Sequence, residues 1–292
     1  MSATTASPRA HAILITGCSS GIGLCLAHGL RQRGYKVFAT ARKPADVARL
    51  ADKGFDALQL DLASSDSIQL AVERLLTKTG GKLSTLINNG AYGQPGAVED
   101  LSRETLRRQF ETNVFGTMEL TNRLMPVFRA QGSGRIIQIS SVLGFVSLAY
   151  RGAYNATKHA LEALSDTLRL ELRGSGIHVV LVEPGPIKSR FRQNAYAAFK
   201  ANIDSAQSAH RITYAALEKR LAGEGGEPPF TLPPQAVLKK VVRALEARRP
   251  KVRYYVTVPT HMFAVLKRLL PSRWIDGILL SASGTPRRTP PA

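Results

Sequence analysis

Cysteine and long apolar runs are both scarce in this chain. Only two cysteines, Cys18 and Cys25, occur among 292 residues, which is too few for a disulfide framework, so we expect a reducing, cytoplasmic setting. No run reaches the ~18 apolar residues that span a bilayer. Residues 1–10 lack the apolar centre of a signal peptide and are predicted to be a disordered lead-in. The six histidines are scattered, so we predict no metal site.

Acidic residues are also few. The chain has 40 Lys and Arg against 21 Asp and Glu, a formal net charge of +19. Residues 235–292 carry 12 of the basic residues and only 2 acidic ones. Such a charge attracts nucleic acid, an anionic membrane or an anionic small molecule. Because no zinc finger, RRM or basic repeat accompanies it, we expect no nucleic-acid partner.

Apolar strands alternate with helical patterns over the first two thirds of the chain. This alternation predicts an α/β fold, a single Rossmann-type doubly wound parallel sheet with helices on both faces. The predicted strands are 12–16, 36–40, 57–60, 84–88, 135–140 and 177–183, and the longest helical patterns are 64–79, 104–131 and 154–173.

We predict one domain over residues 11–280. The strand rhythm stops at 191–231, a helical insertion that is expected to form a substrate lid, since ligands of this fold bind beyond the strand ends. The alternative is a surface elaboration without function. Residues 259–280 are predicted to be a C-terminal helical extension, and 281–292, rich in Pro and Arg, a disordered tail.

A glycine-rich turn follows the first strand and opens a helix. In the sequence Thr-Gly-Cys-Ser-Ser-Gly-Ile-Gly the small residues let a pyrophosphate approach the backbone, and the helix N-terminus supplies N–H donors. A tight turn without a ligand is the alternative. The predicted cofactor-binding residues here are Gly17, Ser19, Ser20, Gly21, Ile22 and Gly23.

The end of the second strand indicates which dinucleotide binds. An NAD site usually has an acidic residue there, for the ribose 2′-hydroxyl. This chain instead has Arg42 and Lys43, which suit a 2′-phosphate, so we predict NADP(H). A solvated basic turn is the alternative.

Tyr154 and Lys158 form a candidate proton-transfer pair. At i and i+4 of a helix they lie on one face. A free phenol titrates near pH ~10, and a neighbouring cation favours the phenolate. The spacing alone also occurs on solvated helix faces.

Together these motifs resemble the short-chain dehydrogenase/reductase family. The resemblance extends over roughly residues 10–191 and includes the glycine turn, Asp61-Leu62, Asn88-Asn89-Gly90-Ala91, Asn113, Ser140-Ser141, Tyr154 with Lys158, and Pro184-Gly185. Segments 15–23, 182–187 and 265–271 are more closely similar to bacterial NADP-dependent aldehyde reductases of that family. Hydroxysteroid and retinol dehydrogenases share the same core.

The resemblance implies four catalytic residues. Tyr154 would be the acid in carbonyl reduction, and Lys158 would lower its pKa and hold the nicotinamide ribose. Ser141, 13 positions before Tyr154, would hydrogen-bond the substrate carbonyl. Asn113 would anchor a proton-relay water.

The resemblance also implies further cofactor contacts. Asp61 and Leu62 would lie beside the adenine. Asn89 and Gly90 would lie beside the central sheet and the cofactor. The loop beside the nicotinamide would contain Pro184, Gly185, Ile187 and Ser189. Two departures stand out. The family's Asn-Asn-Ala-Gly is Asn-Asn-Gly-Ala here, and Ser189 replaces the usual threonine.

The implied reaction is NADPH-dependent reduction of medium or long aliphatic aldehydes, or of ketones. Five apolar or aromatic residues are candidates for the substrate pocket: Tyr92, Phe145, Val146, Leu148 and Tyr150. Hydroxysteroid or retinol dehydrogenase activity and non-catalytic NADP binding are the alternatives.

The family habit of pairing long helices implies a homodimer or homotetramer. Residues 261–270 form an apolar segment with cations at its end, which predicts weak peripheral contact with an anionic membrane. A helix that closes the pocket or packs at a dimer interface is the alternative.

Overall fold

The protein is built on a seven-stranded parallel sheet. A computed structural model describes residues 12–224 and 226–283. The strands are β1 (Ala12–Ile15), β2 (Lys36–Ala41), β3 (Asp56–Gln59), β4 (Thr85–Asn88), β5 (Gly134–Ile139), β6 (Ile177–Glu183) and β7 (Arg253–Tyr255), in the spatial order β3-β2-β1-β4-β5-β6-β7. The order reverses between β1 and β4, which is where ligands bind in this fold. The predicted doubly wound sheet is confirmed.

Helices connect and cover the strands. They are α1 (Gly21–Gln32), α2 (Pro44–Asp52), α3 (Ser65–Thr79), α4 (Arg103–Phe110), α5 (Gly116–Gln131), α6 (Gly152–Glu171), α7 (Phe191–Asn202), α8 (Arg211–Ala222), α9 (Gln235–Glu246), α10 (Val258–Leu269) and α11 (Ser272–Ser283). No helix within the described ranges is both long enough and apolar enough to cross a membrane.

Two hydrophobic cores lie on opposite faces of the sheet. Side chains alternate along a strand, so Ile13 and Ile15 of β1 enter one core, and Leu14 enters the other. Helices α1 and α9 cover the first core, whereas α3 and α5 cover the second. Because both faces are buried, the central strands read as continuous apolar runs, which is why the sequence predicts them well.

The long helix predicted over 104–131 is interrupted. A π-helical turn, Glu111–Phe115, separates α4 from α5. The backbone of Gly116 lies against Leu62, where a Cβ would come within 1.7 Å of the Leu62 carbonyl oxygen. Single π-helical turns occur often at functional sites, and this one contains the buried Asn113.

Two helical segments lie beyond the carboxyl ends of the strands. Helices α7 and α8 fall within the predicted lid, and α10 and α11 form the C-terminal extension. Residues 281–283 were assigned to the tail, but they are the last turn of α11. That turn is fixed because the Ser283 hydroxyl accepts a hydrogen bond from the Ala149 N–H at 3.1 Å. The predicted disorder at 1–10 and 284–292 lies outside the described residues.

Candidate functional site

A cleft of about 1320 Å³ opens at the carboxyl ends of the strands. The glycine turn and the loop after β6 line one part of it. The start of α6, the lid helices and the C-terminal helices line the rest. This position follows from the parallel sheet, whose strand ends meet at one edge.

The glycine turn is shaped for a close ligand. Gly17 has a φ of +72°, and a Cβ there would come within 2.7 Å of Gly90 Cα. A Cβ on Gly23 would come within 2.2 Å of the Gly17 carbonyl oxygen. Ser20, which precedes α1, makes no side-chain capping bond, so the first N–H groups of α1 are left to a ligand or to solvent. These features fit a dinucleotide pyrophosphate.

Asn89 holds the glycine turn in place. Its side-chain nitrogen donates to the Thr16 carbonyl at 2.9 Å and to the Gly17 carbonyl at 3.1 Å. The Thr16 hydroxyl in turn accepts from the N–H groups of Asn89 at 2.9 Å and Gly90 at 2.7 Å. The inverted Gly90-Ala91 order therefore still provides a tightly bonded β1–β4 junction.

Arg42 and Lys43 lie at the carboxyl end of β2 and are exposed. Neither makes an ion pair with any described residue. Asp61 follows β3 next to them, and its carboxylate accepts from the Ala63 N–H at 3.0 Å, which fixes the turn that contains Leu62. A basic pair without acidic partners at this edge fits a ribose phosphate.

The loop after β6 closes the cofactor side of the cleft. Pro184 accepts a hydrogen bond from the Val142 N–H at 2.8 Å, which joins this loop to the segment after β5. A Cβ on Gly185 would come within 2.2 Å of the Thr257 hydroxyl, and one on Gly21 within 2.9 Å of the Ser189 Cβ. Ile187 and Ser189 therefore lie directly opposite the start of α1.

Tyr154 and Ser141 meet at the floor of the cleft. Burial raises the pKa of Tyr154, and a hydrogen bond from the Ser141 hydroxyl lowers it in part. Ser141 is positioned by its place before the 3₁₀ turn Val142–Gly144, where its hydroxyl accepts from the Leu143 N–H at 3.1 Å. Ser141 is thus the serine that contacts Tyr154.

Lys158 lies one turn along α6 from Tyr154. Its Nζ is 5.7 Å from the centroid of the Tyr154 ring and donates to the Ile139 carbonyl at 2.8 Å. Burial lowers the pKa of Lys158 to about 8, and the charge of Glu162 opposes this change. The resemblance implied a lowered pKa for Tyr154. In the structure burial outweighs the other influences, and the net change is upward.

Asn113 uses its side chain on the protein itself. Its Oδ1 accepts from the Tyr92 N–H at 3.1 Å, and its Nδ2 donates to the Tyr92 carbonyl at 2.9 Å and to the Thr157 hydroxyl at 3.2 Å. Both amide hydrogens are therefore taken. Asn113 therefore ties the segment after β4 to α6.

A buried ionic cluster lies farther along the same face of α6. Arg253 Nε is 3.1 Å from Glu183 Oε1, and its Nη2 is 3.1 Å from Glu162 Oε2 and 2.5 Å from Asp166 Oδ2. Burial raises the pKa of Glu183 to about 8. The sequence interpretation missed this cluster, although Glu162 follows Lys158 at i+4 and Asp166 follows at i+8.

The apolar residues expected in the pocket divide into two groups. Val146, Leu148 and Tyr150 line the cleft. Phe145 instead packs on Tyr255, with ring centroids 6.1 Å apart, and Tyr92 is held by Asn113. From the lid, Phe191 makes an edge contact with the Tyr154 ring at 5.2 Å, so the lid segment touches the predicted proton donor.

The sequence interpretation also missed four arginines that line the cleft: Arg151, Arg190, Arg192 and Arg220. Arg151 immediately precedes α6, whereas Arg192 and Arg220 come from α7 and α8. No local spacing connects them. The position of Arg151 three residues before Tyr154 was the one available signal.

Comparison with known proteins decides the family. The model of the short chain dehydrogenase family matches residues 11–200. The chain belongs to the short-chain dehydrogenase/reductase family. It is 44% identical to the Escherichia coli (strain K12) protein named uncharacterized oxidoreductase YbbO, over 91% of this chain and 93% of that one. It is 34% identical to an NADPH-dependent 3-dehydrocapnine reductase of Ornithobacterium rhinotracheale, over 91% and 94% of the two chains.

A solved structure supports the same assignment. A short-chain dehydrogenase from Streptomyces avermitilis is 28% identical and superposes with a TM-score of 0.74, covering 94% of this chain and 98% of that chain. The protein is therefore an oxidoreductase with a Rossmann-type fold, and its cofactor is a nicotinamide dinucleotide, NAD or NADP.

Proposed function

We propose that the protein reduces aldehydes to alcohols with NADPH, with medium or long aliphatic aldehydes as substrates. The observation that carries this proposal is the contact of Tyr154 with Ser141 at the floor of a large, mostly apolar cleft, beside the buried Lys158. The cleft joins this floor to the glycine turn, so substrate and cofactor share one space.

Each residue has a defined task in the reduction. The Tyr154 hydroxyl donates a proton to the oxygen of the carbonyl as that oxygen becomes an alkoxide. Ser141 donates a hydrogen bond toward the same region, where a preorganised donor stabilises developing charge. Lys158, whose Nζ lies 5.7 Å from the centroid of the Tyr154 ring, favours the phenolate that Tyr154 leaves behind. When bound, the nicotinamide supplies the hydride equivalent.

Arg42 and Lys43 favour NADPH over NADH. A 2′-phosphate is matched by a guanidinium fork, whereas a ribose diol would find no acid at the end of β2. The NADPH dependence named for the Ornithobacterium relative agrees with this choice.

Initial rates with NADPH and NADH on aliphatic, steroid and retinoid carbonyls test the proposal. We expect rapid NADPH oxidation with aliphatic aldehydes and much slower NADH oxidation. Turnover confined to steroids or retinoids would contradict the aldehyde proposal and support hydroxysteroid or retinol dehydrogenase activity. Tight NADPH binding without turnover of any carbonyl would favour a non-catalytic NADP-binding protein.

The proposed assembly is a homodimer or homotetramer, and the proposed membrane contact is weak and peripheral. A stripe on α10 supports the second idea, because Val258, Val265 and Leu269 are 59%, 55% and 73% exposed. Co-sedimentation with anionic vesicles at low salt would support it, and failure to sediment would refute it.

A further inference from the structure

The substrate half of the cleft is strongly cationic. Arg151, Arg192 and Arg220 all line it. Among the described lining residues the single carboxylate is Glu227, and its Oε1 is already 3.0 Å from Lys188 Nζ. An apolar cleft for a plain aldehyde would not need three guanidinium groups, each of which loses solvation there.

Arg151 is the most unusual of the three. The residue as a whole keeps some contact with solvent, but its Nη1 is buried and has no hydrogen-bond partner among the described residues. None of those residues forms an ion pair with it either. Burial, together with the charges of Arg220 and Arg192, lowers the pKa of Arg151 to about 9. An unpaired buried cation is costly, which indicates a partner that the protein does not itself provide.

The other two arginines are anchored so that they face the same space. Arg220 donates through Nη1 to the Ser283 carbonyl at 2.6 Å, which ties α8 to the end of α11. Arg192 donates through Nη1 to the Gly226 carbonyl at 2.8 Å. A neutral carbonyl accepts one N–H of each group, and no described carboxylate forms an ion pair with either arginine. Burial lowers the pKa of Arg220, and the charge of Arg192 adds to this change.

The wall that carries Arg151 is rigidly built. The preceding residue, Tyr150, has a φ of +61°, a conformation that non-glycine residues adopt rarely. The Tyr150 hydroxyl lies 3.1 Å from His210 Nδ1, and the His210 ring also contacts Glu99. Strain of this kind persists where the surroundings enforce it, and it often accompanies a binding site.

We propose that Arg151, Arg192 and Arg220 together bind an anionic group carried by the substrate, so that the preferred substrates are amphiphiles with a carbonyl, an apolar chain and a carboxylate, sulfonate or phosphate. This inference rests on the proposed carbonyl reduction and specifies its substrate class. The apolar lining accommodates the chain, Tyr154 and Ser141 meet the carbonyl, and the arginines meet the anion with planar, multidentate donors.

Matched substrates test the inference. Rates are measured for ω-oxododecanoate and for its methyl ester at saturating NADPH, and the shorter ω-oxohexanoate pair shows how chain length matters. We expect kcat/KM for the acid to exceed that for the ester by about ten- to hundredfold, the range of a hydrogen-bonded charge pair. Arg220→Gln and, independently, Arg151→Gln should lower this ratio toward one, because kcat/KM for the acid falls far more than kcat/KM for the ester.

Arg107→Gln is the matched control. Its guanidinium is 60% exposed on α4 and pairs with Glu104 at 3.8 Å, so this variant removes the same charge away from the cleft. The acid-to-ester ratio should stay at the wild-type value. An equal fall of the ratio in this control would mean that general charge attraction sets the preference, and would overturn the specific site.

A binding measurement separates this inference from the proposed function. Trp274, the single tryptophan, lines the cleft, so its fluorescence reports on occupancy. Dodecanoate should bind more tightly than methyl dodecanoate, and Arg220→Gln should remove the difference. Equal binding and equal turnover of acid and ester would overturn the anion site and leave the reductase standing. If no carbonyl compound is turned over but dodecanoate still binds more tightly than its methyl ester, the proposed reductase activity is refuted and the anion site stands.

The cofactor is the other source of an anion. NADPH affinity is therefore measured for Arg151→Gln and Arg220→Gln by cofactor fluorescence. We expect wild-type affinity. Weakened NADPH binding with an unchanged acid-to-ester ratio would assign the arginines to the cofactor phosphates and overturn the proposal.

Discussion

Arg253 and Arg151 both belong to the surroundings of α6, but they differ in their partners. Arg253 meets Glu162, Asp166 and Glu183 within 3.1 Å. Arg151, at the start of the helix, meets no carboxylate among the described residues. The first cation is neutralised within the fold. The charge of Arg151 remains available to a ligand. The presence or absence of carboxylate partners therefore distinguishes a structural arginine from a binding one.

Between these two regions lie Tyr154 and Lys158. The helix face that carries them runs on through Glu162 to Asp166, so the ionic cluster stands directly behind the floor of the cleft. Glu162 opposes the fall in the pKa of Lys158, which links the structural region to the site electrostatically. Substitutions in each region separate their contributions.

The largest expected effect is on chemistry at the cleft floor. Tyr154→Phe removes the proton donor and should lower kcat by about 10²–10⁴-fold, since general acid catalysis contributes that much. NADPH affinity and the unfolding temperature should stay near wild type, because the ring and its packing on Phe191 remain. Stopped-flow turnover and cofactor fluorescence measure both. Near-normal turnover would remove Tyr154 from the mechanism.

The next largest effect is on the stability of the fold, through the ionic cluster around Arg253. Arg253→Met leaves three acidic side chains without their shared cation and should lower the free energy of unfolding by about 3–5 kcal/mol. Urea denaturation measures it. Arg169→Met is the control, because Arg169 pairs with one carboxylate, that of Asp166 at 3.4 Å, and its replacement should cost less than ~1 kcal/mol. An equal decrease in the free energy of unfolding of both variants would show that the cluster does not stabilise the fold.

The same cluster should give stability a pH dependence. Burial raises the pKa of Glu183 from its ordinary 4.5 to about 8, so the folded state binds more protons than the unfolded state between these values. Stability should therefore fall as pH rises from about 4.5 to 8. The glutamine in Glu183→Gln cannot ionise, so the free energy of unfolding of this variant should depend less on pH. The difference from wild type should be a few kcal/mol at most, since one pKa unit corresponds to ~1.4 kcal/mol. Parallel pH profiles of the two proteins would contradict the assignment.

Arg42 is an exposed counterpart of Arg151, since it too has no acidic partner among the described residues. Arg42→Ala should reduce the preference for NADPH over NADH by about tenfold, the effect of one charge-assisted pair at an exposed site. The ratio of kcat/KM for the two cofactors measures this. A retained preference would mean that Arg42 does not contact the 2′-phosphate.

Much of the fold was predictable because the buried strands are continuous apolar runs. The strand β7 was missed because Arg253–Tyr255 is only three residues long and pairs with β6 over no more than that. The break between α4 and α5 was missed because it arises from the packing of Gly116 on Leu62, a tertiary contact. Helical propensity continues through it.

The candidate site was predictable where its residues have fixed local spacing. Tyr154, Lys158 and the glycine turn are of this kind, and Ser141 followed from its separation from Tyr154. Arg151 and Arg220 come together because the lid folds back over the start of α6, and no local pattern encodes that. The net change in the pKa of Tyr154 also escaped prediction, because it depends on how deeply the phenol is buried.

The comparison of the two arginines is tested most directly by the unfolding temperatures of Arg151→Met and Arg253→Met in the same buffer without substrate. Because Arg151 is an unpaired buried charge, its replacement should leave the temperature unchanged or raise it by about 2 °C, while Arg253→Met lowers it clearly. Arg151→Met should also lose the preference for an anionic substrate. A fall in the unfolding temperature of Arg151→Met as large as that of Arg253→Met would make Arg151 a structural residue and contradict the account.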